Sequence, residues 1–360
     1  MSVKIIVKSA VDNSGVNEVA IILKALVAPP TRYTKCKLEE PSALTCNATL
    51  AAKHEPIPNI AHYVFILRDP SGDFSFQFSH YLSIYSAYHL WRPDKIYLHT
   101  NVAPDSAPIA RAKSGSTGKW NQLIFNIPNL TINNITVPTH AGNGVEISGL
   151  EHKSDFVRVK AVHDFGGTYV DFDVVPLRDL KPLRERGFAA VGGRQEGGEL
   201  NSGTFMGVAG SLALTEWMEE MNRVYDGGWT THSNAALTRV GNRLAIEQPC
   251  EMLALNQAAF APGSWLSHDI DNLFHTHEGA PIIPPGGNSS MRQGWARDFS
   301  CTYLLHAFSG NKARHGVTHN NIDPQYVLDL RSNFARAVYP IAKLLLDKKV
   351  ITLDDTDLGK

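Results

Sequence analysis

Asp171 and Asp173 stand on either side of one aromatic residue in the run Thr168-Tyr169-Val170-Asp171-Phe172-Asp173-Val174. On an extended strand successive side chains point to opposite faces, so Tyr169, Asp171 and Asp173 share one face while Val170, Phe172 and Val174 share the other. One face is chemistry and the other is core. Two carboxylates on one edge repel unless one is protonated or a cation lies between them. A hard, oxygen-preferring ion such as Mg²⁺ or Mn²⁺ resolves that conflict and keeps coordination positions open for phosphate oxygens. An isolated Asp-x-Asp triplet is also common on solvated strand ends, so the surrounding residues decide.

Upstream, Ser154 reads as an N-cap, and Phe156, Val159 and Val162 or His163 recur at helical spacing. Asp155 and Arg158, three apart, share a helix face, with Asp155 in the first turn where negative charge suits the helix dipole. Gly166-Gly167 supply the positive φ that ends such a helix, and Pro176 closes the following strand. The segment therefore predicts helix, tight turn, strand.

The block formed by Ser154, Asp155, Arg158, Gly166, Gly167, Tyr169, Asp171, Asp173 and Val174 resembles the S-D-x-x-R…G-G-x-Y-x-D-x-D-V signature of glycosyltransferase family 32 and of the clostridial glucosylating toxins. Pro58 to Ile66 is similar to the first strand of that family, with Phe65 near the position of the usual Trp. His306, followed by Gly310 and Lys312, resembles the His-to-Lys element of related retaining transferases, although the Ser-Trp ending of family 32 is absent.

The resemblance implies an α/β chain of the GT-A type, with a mostly parallel central sheet flanked by helices that binds a nucleotide-sugar. It also implies that Asp171, Asp173 and His306 hold Mn²⁺ or Mg²⁺, and that Gly310 and Lys312 meet the diphosphate. Val64, Phe65 and Ile66 would border the nucleotide, with Tyr169, Asn201 and Ser202 beside the donor. Asp155 and Arg158 would position the sugar hydroxyls and phosphate. The anomeric configuration would be retained.

The chain has 360 residues, 43% hydrophobic and 19% charged, enough for one large core. A formal net charge of −1 implies no broad attraction to nucleic acid or anionic membrane. Cys36, Cys46, Cys250 and Cys301 are too scattered for a C-x-x-C zinc site, and Cys36 with Cys46 could pair locally in a secreted chain. The longest apolar run, Val19 to Ala28, is interrupted by Lys24 and falls short of the roughly 20 residues a membrane span needs. No secretory leader pattern occurs. Sequons at Asn47, Asn129, Asn134 and Asn288 are balanced by an Asn-, Ser- and Thr-rich composition that makes them by chance. The expectation is a cytoplasmic protein without a transmembrane segment. A Golgi lumen location is the alternative, if an anchor lies outside this chain.

Residues 1–56 read as an N-terminal extension, 57–312 as the catalytic domain and 313–360 as a C-terminal helical segment. Ile60 to Leu67 predicts the first core strand, Phe76 to Trp91 an amphipathic helix with aromatics in the core, and Lys95 to His99 the next strand. Residues 101–122 read as a long loop. Gly192-Gly193 and Gly197-Gly198 read as bracketing a mobile loop, and Glu251 to Gln257 as a helix that could face sugar hydroxyls. Asp269, Asp271, His275, His277 and Glu278 read as a surface loop without ligand spacing. Pro281 to Arg297 predicts a lid, and Phe334 to Leu346 a helix.

The expected function is a retaining, metal-dependent hexosyltransferase, with UDP-glucose favoured over GDP-sugars. Its expected acceptor is a small-molecule hydroxyl such as a terpenoid or polyketide of secondary metabolism. The alternatives are a Golgi-type mannosyl- or N-acetylglucosaminyltransferase acting on a glycan, or an idle sugar-nucleotide-binding protein. A glycosidase pair formed by Asp171 and Asp173 is disfavoured, because two residues on one strand face cannot straddle a sugar.

Overall fold

The structure, a computed structural model, describes residues 46, 54–248, 250–279, 294–308 and 322–359. Among the described residues there are nine strands, β1 (Ile60–Val64), β2 (Lys95–Thr100), β3 (Leu130–Asn134), β4 (Gly167–Val170), β5 (Val174–Pro176), β6 (Ala190–Arg194), β7 (Leu200–Gly207), β8 (Met252–Leu255) and β9 (Leu304–His306). Seven of them form one sheet in the order β3-β2-β1-β4-β7-β6-β8, and β5 pairs with β9 in a second. In the large sheet β7 alone runs against the other six. This is the α/β architecture, a mostly parallel sheet flanked by helices, that the GT-A resemblance implies.

The longer helices are α1 (Phe78–Trp91), α2 (Leu150–Phe165), α3 (Leu212–Val224), α4 (Asn234–Glu247) and α5 (Asn333–Asp347). Helices α2, α3 and α4 pack as a group, α2 on β1, β4 and β7, and α4 on β7 and β8. Helix α1 packs on β5, with α5 against it. Strands covered on both faces are apolar along their whole length, and β1, β4 and β7 are buried almost throughout. Helix α1 follows the same logic: Tyr81 to Ala87 are all buried, so it is a core helix and not an amphipathic one. Its aromatics Phe78, Tyr81, Tyr85 and Trp91, with Phe76 before it, do lie in the core.

Several local expectations are corrected. Residues 101–122 are not a loop, because Ala107–Ser114 and the start of Lys119–Phe125 are helical. The Pro and Gly that suggested irregular chain are helix punctuation: Pro108 lies in the first turn after Ser106, and Gly115 at φ 83° closes the helix. Glu251 to Gln257 holds strand β8 and not a helix. Gly192 and Gly193 lie inside β6, where a Cβ on Gly193 would meet the Phe260 Cβ at 2.5 Å. Only Gly197 and Gly198 occupy a turn, at φ 81° and 86°. Asp269 and Asp271 lie on the helix Ser267–Phe274, where Asp269 accepts from Arg297 and Ser264.

Two features cross the molecule. A hydrogen-bonded relay runs through the first three strands, from Asn133 Nδ2 to His99 Nδ1 (2.9 Å), His99 Nε2 to His62 Nδ1 (2.9 Å), and His62 Nε2 to the Gly166 carbonyl (2.7 Å). The Gly166 carbonyl at one end can only accept and the Asn133 amide nitrogen at the other can only donate, so His62 and His99 are both neutral, each with one donor and one acceptor. Secondly, Cys46 is disulfide-bonded to Cys250, 204 residues away, with a Cα separation of 5.5 Å. Cys301 is also disulfide-bonded. Cys46 therefore does not form the local pair with Cys36 considered above. Among the described residues no helix is long and apolar enough to cross a membrane.

Candidate functional site

Strand β4 ends at Val170, and Asp171 to Val174 form a turn in which Val174 N donates to the Asp171 carbonyl at 3.0 Å. Strand β5 starts only after it. The carboxylates are thus not alternate residues of one extended strand, as the sequence pattern suggested, but two corners of a tight turn. The turn is clamped on both sides: Asp171 N donates to Gly203 O (2.9 Å) on β7, and Ala307 N donates to Asp173 O (2.9 Å) after β9. Phe172 between them points into the aromatic cluster, 4.9 Å from Tyr63 and 5.1 Å from Phe76 between ring centres.

The pairing of Val174 with His306 across β5 and β9 brings the imidazole to the turn. One ligand atom from each of Asp171, Asp173 and His306 lies within 4.8 Å of the others. Two carboxylate oxygens and an imidazole nitrogen are a donor set for Mg²⁺ or Mn²⁺. The protein also orients the imidazole. Asn201 Oδ1 accepts from His306 Nδ1 (3.2 Å) and from Gly203 N (2.7 Å), while Asn201 Nδ2 donates to Gln195 Oε1 (2.6 Å). With its proton held on Nδ1, His306 presents the Nε2 lone pair towards Asp173 Oδ1, 3.5 Å away. Space is kept by Gly203, where a Cβ would stand 2.8 Å from both Asp171 Oδ2 and His306 Cε1.

Asp171 is fixed by two further groups. Tyr169 donates its hydroxyl to Oδ1, and Arg158 Nη1 approaches Oδ2 at 3.3 Å while also donating to the Ser202 carbonyl at 3.0 Å. The other side of the Arg158 fork pairs with Asp155, whose second oxygen accepts from His232 Nε2 at 2.8 Å. Burial pushes the Asp171 carboxyl above the ordinary carboxylate range, against the pull of Arg158. Burial also raises Asp173, but His306 in its protonated form, a backbone N–H and His80 together outweigh it and hold that carboxyl low. The two carboxylates are therefore held in unequal protonation tendencies, the state a shared cation would equalise.

Of the expected site residues, the fold gathers Asp155, Arg158, Tyr169, Asp171, Asp173, Asn201, Ser202 and His306 into this one network. Val64 ends β1, with Phe65 and Ile66 following it, and the Phe65 ring lies 5.9 Å from Phe172. Gly310 and Lys312 lie outside the described residues, as does most of the expected lid. Helix α2 begins at Leu150 after Gly149 and not at Ser154, which puts Asp155 in the second turn, where its partners and not the helix dipole hold it. Two residues escaped the sequence reading. His232 and Gln195 lie in segments without periodicity or motif, and only the fold shows that they brace Asp155 and Asn201.

Residues 105–189 match the family described as "Glycosyltransferase sugar-binding region containing DXD motif". The chain is 28% identical over 264 residues to "Glucan organizing enzyme 1" of Cryptococcus neoformans var. grubii, covering 70% of this chain and 67% of that protein. Among solved structures it is similar to the glycosyltransferase GlyE of Streptococcus pneumoniae, with a TM-score of 0.41, 11% identity and coverage of 82% of this chain and 64% of that one. It is also similar to mouse xyloside xylosyltransferase 1, with a TM-score of 0.40, 13% identity and coverage of 70% and 98%.

Proposed function

We propose that the chain is a metal-dependent, retaining glycosyltransferase that moves a hexose from a nucleotide-sugar to a hydroxyl of a glycan within the secretory lumen. The observation that carries this reading is the convergence of Asp171, Asp173 and His306 to within 4.8 Å on a braced turn. A bound Mn²⁺ or Mg²⁺ would supply Lewis-acid neutralisation of the leaving diphosphate.

The chain's own residues supply position. Tyr169 and Arg158 hold Asp171 from two directions, and Asn201 keeps the His306 lone pair facing inward. Asp155 spans Arg158 and His232 and so links helix α2 to the loop preceding α4. Both carboxylates rise from one turn, which places them on one side of any bound sugar. That arrangement suits a cation and not a glycosidase pair, whose members flank the bond they cleave. With no covalent nucleophile assigned, attack on the donor's own face is the route to retention, the departing phosphate taking the acceptor's proton. Trapping a glycosyl-enzyme adduct would overturn that route.

The similarity to a protein named for glucan organisation supports a glycan acceptor over the small-molecule alcohol first expected, and UDP-glucose stays the favoured donor. The disulfides support an oxidising compartment over the cytoplasm. A panel of nucleotide-sugars assayed for Mn²⁺-dependent release of UDP or GDP tests the proposal. Asp173→Ala should lower release by about 100-fold or more with the fold unchanged, and full activity in that variant would reject the assignment.

A further inference from the structure

The edge of the large sheet carries a feature that catalysis does not use. Two sequons, Asn129-Leu130-Thr131 and Asn134-Ile135-Thr136, bracket β3. Among the described residues β3 pairs with β2 alone, and none of its residues is fully buried, unlike those of β4 or β7. Such an edge presents unpaired backbone groups to any second strand that approaches. Asn129 and Asn134 are both exposed, and so is Thr136.

We propose that Asn134, and with it Asn129, carries an N-linked oligosaccharide. This rests on the luminal location proposed above, for which the independent observation is the disulfide chemistry of Cys46, Cys250 and Cys301. Sequons alone arise by chance; sequons exposed at both ends of an open edge, in a chain whose described cysteines are all bridged, are a different matter. The local geometry accommodates the modification. Asn134 Nδ2 donates to the Thr100 carbonyl and Asn129 Nδ2 to the Pro93 carbonyl, each at 3.4 Å. An amide nitrogen has two hydrogens, so one can be replaced while the other keeps that bond.

In the transfer, a bond forms between Nδ2 and the anomeric carbon of an oligosaccharide carried on a lipid diphosphate. The bond from that carbon to the diphosphate breaks, the lipid diphosphate leaves, and the nitrogen gives up one proton. The products are bulky and hydrated. One at each end of β3 would keep a second chain from adding to the edge.

The test is peptide mapping of the full chain purified from its native cells or a eukaryotic secretory host. Enzymatic release of N-glycans in heavy-oxygen water tags each formerly occupied asparagine as a labelled aspartate. Thiol alkylation of the same sample reports the disulfides. The Asn134 peptide should carry the tag, and Asn134→Gln should remove one glycan's mass from the intact protein. A bare Asn134 with Cys46 and Cys250 linked would overturn the glycan and leave the compartment standing. A bare Asn134 with free thiols would overturn both.

Discussion

At Gly203 the backbone of β7 passes so close to the site that any side chain must displace something. A Cβ would approach Asp171 Oδ2, His306 Cε1 and Asn201 Oδ1 at 2.8 to 2.9 Å, and all three atoms belong to groups already held by other partners. Gly203→Ala should therefore lower Mn²⁺ affinity by roughly 10- to 100-fold, the range seen when groups that orient metal ligands are disturbed. Titration calorimetry against a variant with unchanged circular dichroism checks this, and wild-type affinity would refute it. The carboxylates and His306 were legible because their residue types fit one chemistry and few others. The family resemblance implied their convergence, but the turn that carries the carboxylates was not legible, because Asp-x-Asp alternation is compatible with a strand, whereas the turn depends on clamps from β7 and β9, more than 30 and more than 130 residues downstream. His232 illustrates the same limit. Its fully buried ring stacks on Phe156 and bonds Asp155, contacts that exist only after α2 and the loop before α4 have met.

The relay from Asn133 through His99 and His62 to Gly166 ties β3, β2 and β1 to the turn that precedes β4. Burial lowers the His62 imidazole to about 4, against the raising effect of the Gly166 carbonyl. Burial, with help from His62, lowers His99 to about 3. An unfolded histidine titrates near 6.5. Between that pH and the folded values the unfolded chain binds more protons, so stability falls as pH drops from about 6.5 toward 4. At pH 5 the loss from His62 alone is roughly 2 kcal/mol. Urea unfolding at pH 7.5 and pH 5 should show it, and the two ring resonances should not titrate above pH 5; titration near 6.5 would contradict the relay. Strands β1 and β2 were readable from their apolar runs, whereas β3 carried no such signal. The helices within 101–125 were not, since Pro108 and Gly115 mark helix ends and loops with the same letters.

At the scale of the molecule, the sheet is closed at its β8 side by the Cys46–Cys250 cross-link. It ties a residue ahead of β1 to the approach to β8. In the chain-entropy treatment a loop of this length contributes about 5 kcal/mol, and measured losses on removing native disulfides run about 2–5 kcal/mol. Cys250→Ser should fall in that measured range by denaturant unfolding, and an unchanged midpoint would argue against the bridge. The mostly parallel α/β class was legible through the family resemblance, with the strand-helix-strand order from Ile60 to His99 consistent with it. The cross-link was not, because four cysteines permit several pairings and sequence proximity favours the wrong one. The 204-residue interval also sets a biosynthetic clock. At roughly 5–20 residues per second, Cys46 waits on the order of 10–40 s as an unpaired thiol before its partner is made. During that interval other thiols compete for it, so in an oxidising compartment a disulfide isomerase should speed formation of the native pair.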